Sequence, residues 1–323
     1  MPLPPKERPT ICFAHAAYQM QARFEARKSG IACFQVRDRE ALGTRIGEAD
    51  IVCVSMMWDN ALISRAPKLR FIQSISAGID QYDRPALAAA GIRLASAAGV
   101  NANAVAEHAM ALMLAIARRL PEARDNQGKH VWRGMISDPD SREDELAGKT
   151  LLIVGLGRIG GRLARLAKAF DMRVIATRRD PSAGAGAADR VAGMDALGSL
   201  LGEADYVALT CPLTPQTERL MDAAMLARMK PGAALVNVAR GRCVDEPALI
   251  AALTEGHLAA AGLDCAVEEP LTADSPLWGM ANVLLSPHTA GETRAYEDNV
   301  IDILLENVGR LWRGETALVN QVA

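Results

Sequence analysis

Three polar residues in the second half of the chain, Arg240, Glu269 and His288, each stand just beyond an apolar run that reads as a buried strand. Arg240 sits in NVARG after Ala233–Val238, Glu269 in GLDCAVEEP beyond Leu258–Gly262, and His288 in SPHTAG after Val283–Ser286. A guanidinium is a planar fork suited to a carboxylate, and an imidazole gives or takes a proton near neutral pH. Singly, such residues are usually structural: a strand-end arginine is mostly solvated, and a glutamate before proline is mostly loop. Here all three fall on the side where open parallel sheets bind ligands.

The element best able to organise them is TLLIVGLGRIG, Thr150 to Gly160. Leu151–Val154 is a continuous apolar run, the pattern of a strand covered on both faces. Gly155, Gly157 and Gly160 complete G-x-G-x-x-G: a tight turn, a close approach for a pyrophosphate, and close packing of the next helix. That helix is expected over 158–170, with Ile159, Leu163, Leu166, Ala167 and Phe170 on one side and free N–H groups at its start, near Arg158 and Ile159, for an anion. Glycine-rich turns also serve ordinary loops. Placed between a strand, an amphipathic helix and a second strand (172–176), this one points to a dinucleotide.

Further strands over 206–209, 233–238, 258–262 and 283–286 extend this sheet to about six. Upstream, strands at 10–14, 31–36, 51–55, 71–75 and 91–94, with a helix over 18–28, imply a second, smaller parallel sheet that has no glycine fingerprint. A long helix over 104–120 reads as the connector. The periodicity lapses over 121–148, which reads as an exposed or dimer-contacting excursion. The last helix (293–312) and a strand-like tail (318–322) are expected to return to the first domain. The fold class is therefore α/β, with a discontinuous domain of residues 1–101 and 290–323 and a dinucleotide-binding domain of residues 102–289.

Composition narrows the function. The 323 residues carry 36 Lys and Arg against 38 Asp and Glu, a net charge of −2 that invites neither nucleic acid nor an anionic membrane. The six cysteines show no C-x-x-C and no zinc-like spacing, so no metal is expected and they read as reduced thiols. The N-terminal MPLPPKERPT lacks the apolar core of a signal peptide, and charges interrupt the 104–120 helix, which makes cytoplasm the expected location.

The ordered set GLGRIG, CPLTPQT (211–217), NVARG, GLDxxxxEP and SPHTAG resembles the D-2-hydroxyacid dehydrogenase family along essentially the whole chain. The resemblance implies two Rossmann-like, doubly wound domains, the discontinuous one flavodoxin-like and substrate-binding. It implies that Arg240 holds the carboxylate and polarises the ketone of a 2-oxo acid. It makes His288 the proton donor to the alkoxide, with Glu269 favouring the protonated imidazole. It brings Cys211, Pro212, Thr217, Ala239 and Asp264 to the cofactor and the backbone N–H groups of Ser76, Ala77 and Gly78, in SAGID, to the substrate carboxylate. Met56, Met57 and Trp58, in MMWDN, would shape the side-chain pocket, although Met and Trp are more often core.

Two departures stand out. Where NAD-preferring folds end the second strand in Asp or Glu, this chain reads Thr177-Arg178-Arg179, with no acid until Asp180. Arginines there pair with a 2′-phosphate and Thr177 would hydrogen-bond it, so NADPH is preferred and NADH remains usable. Thr210 replaces a histidine frequent in the family. The expected activity is reduction of a small 2-oxo acid, glyoxylate or hydroxypyruvate in type, to the D-hydroxy acid. A phosphorylated substrate is disfavoured because the substrate loops lack basic residues and the chain is short for an added regulatory domain. A homodimer through the nucleotide-binding domain is expected, and the rival class is a non-catalytic NAD(H)-sensing corepressor or scaffold of the same fold.

Overall fold

The computed structural model describes Leu3 and residues 9–322, so most of the stretch read for a leader lies outside the described residues. The chain forms two units, residues up to Asn101 together with Thr293 onward, and Ala102–Glu292. Both are α/β with wholly parallel sheets.

In the first unit β1 (Thr10–Ala14), α1 (Met20–Glu25), β2 (Ala32–Val36), α2 (Arg39–Arg45), β3 (Ile51–Val54), β4 (Phe71–Ser74), α3 (Arg84–Ala89) and β5 (Arg93–Ala95) build a sheet ordered β2-β1-β3-β4-β5. Ile51–Val54 is buried along its whole length, as a strand covered on both faces must be. One face packs Phe13 and Phe71 against Phe24 of α1 and Val300, Leu304 and Val308 of the last helix, Tyr296–Trp312. The other packs Val52, Ile72 and Leu94 against Leu42 and Leu87. Two hydrogen bonds pin the last helix to the sheet: Tyr296 Oη donates to Ile75 O (2.7 Å) and the buried Asn307 Nδ2 to Gln73 Oε1 (3.1 Å). The expected C-terminal strand is instead a turn whose Gln321 makes a single antiparallel bridge to Ala95.

The second unit opens with α4 (Ala102–Ala117) and α5 (Leu120–Gly128). The single helix expected over 104–120 breaks where Arg119 adopts a left-handed φ of 49°, and helix resumes inside the excursion read as irregular. There follow β6 (Thr150–Val154), α6 (Arg158–Ala169), β7 (Arg173–Thr177), β8 (Arg190–Ala192), α7 (Leu197–Leu200), β9 (Tyr206–Leu209), α8 (Ala223–Ala227), β10 (Ala234–Asn237), α9 (Glu246–Thr254), β11 (Ala260–Leu263) and β12 (Val283–Leu285). The sheet runs β12-β11-β10-β9-β6-β7-β8, seven strands where the sequence suggested six; β8 is the addition. Helices α4 and α6 cover one face through Met110, Met113, Leu163 and Ala167, and α7 to α9 cover the other through Leu197, Leu226 and Leu249. Neighbours of β6 lead away in opposite chain directions, β7 on one side and β9 on the other, which is the switch point where such sheets bind ligands. Among the described residues no helix is long and apolar enough to cross a membrane.

Candidate active site

The end of β6 is shaped by what its glycines exclude. A Cβ on Gly155, whose φ is +105°, would stand 2.8 Å from the Cys211 backbone, and one on Gly160 would stand 2.3 Å from Gly155 O. Those two positions hold the turn against the next strand and bring α6 down on it. At Gly157 a Cβ would meet nothing within 4 Å. The N–H groups of Ile159 and Gly160 have no partner among the described residues. Open space beside unpaired donors at a helix start fits the pyrophosphate of a dinucleotide. Thr210 ties the turn to β9, its hydroxyl donating to Gly155 O at 2.7 Å.

At the end of β7 the structure corrects one expectation. Thr177 is fully buried, as is every side chain of β7 after Arg173, and its hydroxyl has no partner among the described residues, so it does not face a 2′-phosphate. Arg178 and Arg179 are the side chains that emerge, half-buried and exposed. Arg178 Nη1 donates to Gly184 O at 2.8 Å. Asp180, the nearest acid, faces Ser182: its carboxylate accepts from the Ser182 hydroxyl (2.6 Å) and N–H (3.0 Å), contacts that hold it below the usual carboxylate range. Thr217 is corrected too: its hydroxyl donates to Pro212 O (2.7 Å) and accepts from Thr214 N (2.7 Å), so it shapes the 211–217 segment from within.

Arg240 follows β10, and its turn is braced by Asn237, a buried residue that the sequence reading passed over. Asn237 Nδ2 donates to Arg240 O (2.9 Å), and its Oδ1 accepts from Ala239 N (3.0 Å). Gly241, also passed over, is required by proximity: a Cβ there would lie 1.9 Å from the Ala266 carbonyl. The Arg240 turn therefore rests directly on the loop beyond β11 that carries Glu269. Glu269 uses both oxygens, accepting from Ala266 N at 3.1 Å through Oε1 and from His288 Nδ1 at 2.8 Å through Oε2. With Nδ1 engaged as donor to the carboxylate, Nε2 is the ring nitrogen left to exchange a proton. Both side chains are about two-fifths exposed, so the pair is open to a small molecule from solvent. Burial pushes the neighbouring Cys265 thiol up, and it feels the charges of Glu269, Asp264 and Arg240 together. Arg240, Glu269 and His288 are thus brought to one end of one sheet.

Asp264, buried at the end of β11, accepts through Oδ1 from the Ser286 hydroxyl (2.7 Å), Thr289 N (3.0 Å) and Ala290 N (3.1 Å). Among the described residues its Oδ2 accepts from Ala290 N alone, so it is the less engaged of the two oxygens. Among the described residues no cluster of His, Cys, Asp and Glu could hold a metal ion.

In the first unit the substrate-loop expectations divide. Ser76 turns inward, its N–H donated to Ser74 Oγ (3.2 Å) and its hydroxyl bonded to Ser55 Oγ (2.7 Å) and Gly78 O (2.8 Å), so it is not the free donor expected. The N–H groups of Ala77 and Gly78 have no partner among the described residues. Trp58 is core rather than pocket wall: it is 4% exposed, lies 5.9 Å from the Tyr82 ring and donates Nε1 to Asn60. Met56 is 82% exposed.

Residues 110–290 match the sequence profile of the D-isomer specific 2-hydroxyacid dehydrogenase, NAD binding domain. The chain belongs to that family. It is 41% identical over 257 residues to glyoxylate/hydroxypyruvate reductase B of Shigella boydii, covering 76% of this chain and 78% of that one. It is 38% identical over 282 residues to D-3-phosphoglycerate dehydrogenase of Mycobacterium bovis, covering 86% of this chain and 52% of that protein, so the chain spans about half the length of the first of the curated relatives it matches. Among solved structures, a protein of Thermus thermophilus superposes with a TM-score of 0.85 at 33% identity, covering 97% of this chain and 100% of the other. In this chain the glycine turn and the residues after β10, β11 and β12 share one unit.

Proposed function

We propose that this dehydrogenase reduces a small 2-oxo acid, of the glyoxylate or hydroxypyruvate class, to the D-2-hydroxy acid with NADPH. The observation that carries the reading is the His288–Glu269 pair, joined through Ala266 and Gly241 to the Arg240 turn at the end of a sheet whose glycine turn fits a dinucleotide. A bound nicotinamide coenzyme supplies the hydride that adds to the carbonyl carbon. Arg240 holds the substrate carboxylate and polarises the ketone. As the C=O electron pair moves onto oxygen, His288 gives its Nε2 proton to the forming alkoxide, while Glu269 keeps the ring oriented through Nδ1. Arg178 and Arg179 pair with the coenzyme 2′-phosphate, and Asp264 Oδ2 meets the carboxamide. In the first unit the Ala77 and Gly78 N–H groups form an anion-binding loop of their own.

Oxidation of NADPH followed at 340 nm across a panel of 2-oxo acids tests this. Turnover is expected with glyoxylate and hydroxypyruvate, and His288→Ala is expected to lower kcat by about 10²–10⁴-fold without weakening coenzyme binding. Faster turnover of a phosphorylated 2-oxo acid would overturn the substrate class, and coenzyme binding with no turnover would favour a sensor.

The same reading includes a homodimer through the second unit. The segment after α5 exposes Trp132 (98%), Met135 (102%) and Val131 (52%), apolar surface of the kind that marks an interface. Sedimentation is expected to show a dimer that Trp132→Glu with Met135→Glu dissociates; a wild-type monomer at micromolar concentration would refute it.

A further inference from the structure

We infer that His108, on α4, is a positioning residue for the loop that carries His288, acting through Ser286 and Asp264. The inference rests on the proposed role of His288 in proton transfer. His108 Nε2 lies 2.7 Å from Ser286 Oγ, and Ser286 Oγ donates to Asp264 Oδ1 at 2.7 Å. A serine has one hydroxyl hydrogen, and a carboxylate only accepts, so that hydrogen is committed to Asp264. The imidazole must then be the donor in the first contact, with its proton on Nε2. The chain of donors runs one way, from α4 through Ser286 into the carboxylate, with His108 Nε2 itself 3.6 Å from Asp264 Oδ1.

What the carboxylate does with that orientation concerns His288 directly. Asp264 also receives the N–H groups of Thr289 and Ala290, the two residues that follow His288. His288 N donates to Ser286 O at 3.0 Å. His288 itself has φ +56°, a region that residues other than glycine occupy sparsely and keep only when their surroundings over-determine it. Ser286, Thr289 and Ala290 bracket the strained residue, and all three converge on Asp264 Oδ1. Without a donor at His108, the Ser286 hydroxyl is free to rotate off Asp264, and the bracket loses one side. Helix α4 holds the imidazole in place. Val105, Ala106, Ala109 and Met110, around it in sequence, are buried. Leu112, one turn on, packs where a Cβ on Gly262 would come within 3.0 Å, so β11 is bare at the point where α4 crosses it, two residues before Asp264.

Three variants test the inference: His108→Ala, His108→Gln, whose amide nitrogen restores a donor near Nε2, and Ser286→Ala. His108→Ala is expected to lower kcat by about tenfold to 100-fold, the scale of a sub-ångström to ångström misplacement, with the coenzyme Kd unchanged and the KM for the 2-oxo acid moved less than about threefold. His108→Gln should recover most of kcat. Ser286→Ala should reproduce His108→Ala, and the double variant should be no worse than either, since both break the same chain. In coenzyme-free protein labelled with ¹⁵N, the Thr289 and Ala290 amide and His288 ring resonances should shift in His108→Ala and return in His108→Gln. Wild-type kcat with unmoved resonances in His108→Ala would overturn the inference, as would equal losses in the Ala and Gln variants accompanied by a lowered Tm, which mark plain helix packing. If the wild type turns over no 2-oxo acid yet the resonances move and return, the proposed reaction fails while control of the loop by His108 stands.

Discussion

Each unit has a strand inside a parallel sheet that turns into a helix, β1 into α1 and β6 into α6, yet the two turns are filled differently. After β1 the turn is occupied by its own side chain. His15 Nδ1 accepts the N–H groups of Ala17 (3.2 Å) and Tyr18 (2.9 Å), and the Tyr18 ring stacks on the imidazole at 3.9 Å. After β6 the corresponding ground is left bare: Gly157 faces open space, and the donors of Ile159 and Gly160 are unpaired among the described residues. A shared topology provides the place, and the residues of one turn decide whether an internal acceptor or an external anion takes the donors.

The largest way to break this comparison is to fill the empty turn. Gly157 has φ −93°, outside the left-handed region that favours glycine, and a Cβ there meets nothing within 4 Å, so Gly157→Leu should fold with its Tm little changed. It should raise the coenzyme Kd by about 100-fold or more, the loss of two charge-assisted hydrogen bonds. Calorimetric titration checks it, and retained affinity would mean the turn is not where the pyrophosphate lies. A smaller effect sharpens the same point at the end of β7, where only Arg178 and Arg179 emerge. Arg178→Asp removes one ion-paired hydrogen bond and introduces repulsion, so the ratio of kcat/KM for NADPH over NADH should fall about 10-fold to 100-fold. An unchanged ratio would assign the selectivity elsewhere.

Much of this was legible in the sequence because buried parallel strands leave continuous apolar runs, and each ends in a residue that topology sends to the same edge. Leu151–Val154 with its glycines and the strand before Arg240 are of that kind, and the half-buried edge strand before His288 keeps the same apolar run. What escaped was mostly a matter of which way a side chain turns. A strand covered on both faces carries no alternation to show that Thr177 points inward while Arg178 emerges, and MMWDN has no period to show that Trp58 joins the core. The break at Arg119 carries no glycine to mark it. Strand β8 is three residues, Arg190–Ala192, too short to show a period and recognisable only by its pairing with β7. The bond between His108 and Ser286 joins residues 178 apart, which no local pattern records.

The smallest expected effect concerns the filled turn, and it follows from filling it with a titratable group. Burial pushes the His15 imidazole below its ordinary value of 6.5, with Glu297 opposing that shift and Arg37 adding to it. The geometry gives the same sign, since Nδ1 accepts two N–H groups and a proton there would abolish both bonds. The unfolded chain therefore takes up a proton at a pH where the folded one does not. Stability from this site is complete above the unfolded value and is lost as pH falls from there through the lower folded value. Urea midpoints measured from about pH 8 down to about pH 5 should decline more steeply in the wild type than in His15→Ala. At the upper end His15→Ala should cost about 1 kcal/mol, the net worth of a hydrogen bond or two. Parallel pH profiles for the two proteins would show that the imidazole is not what holds this turn. A glycine turn offers no such handle, so the same titration applied to coenzyme affinity at Gly157 should trace other groups entirely.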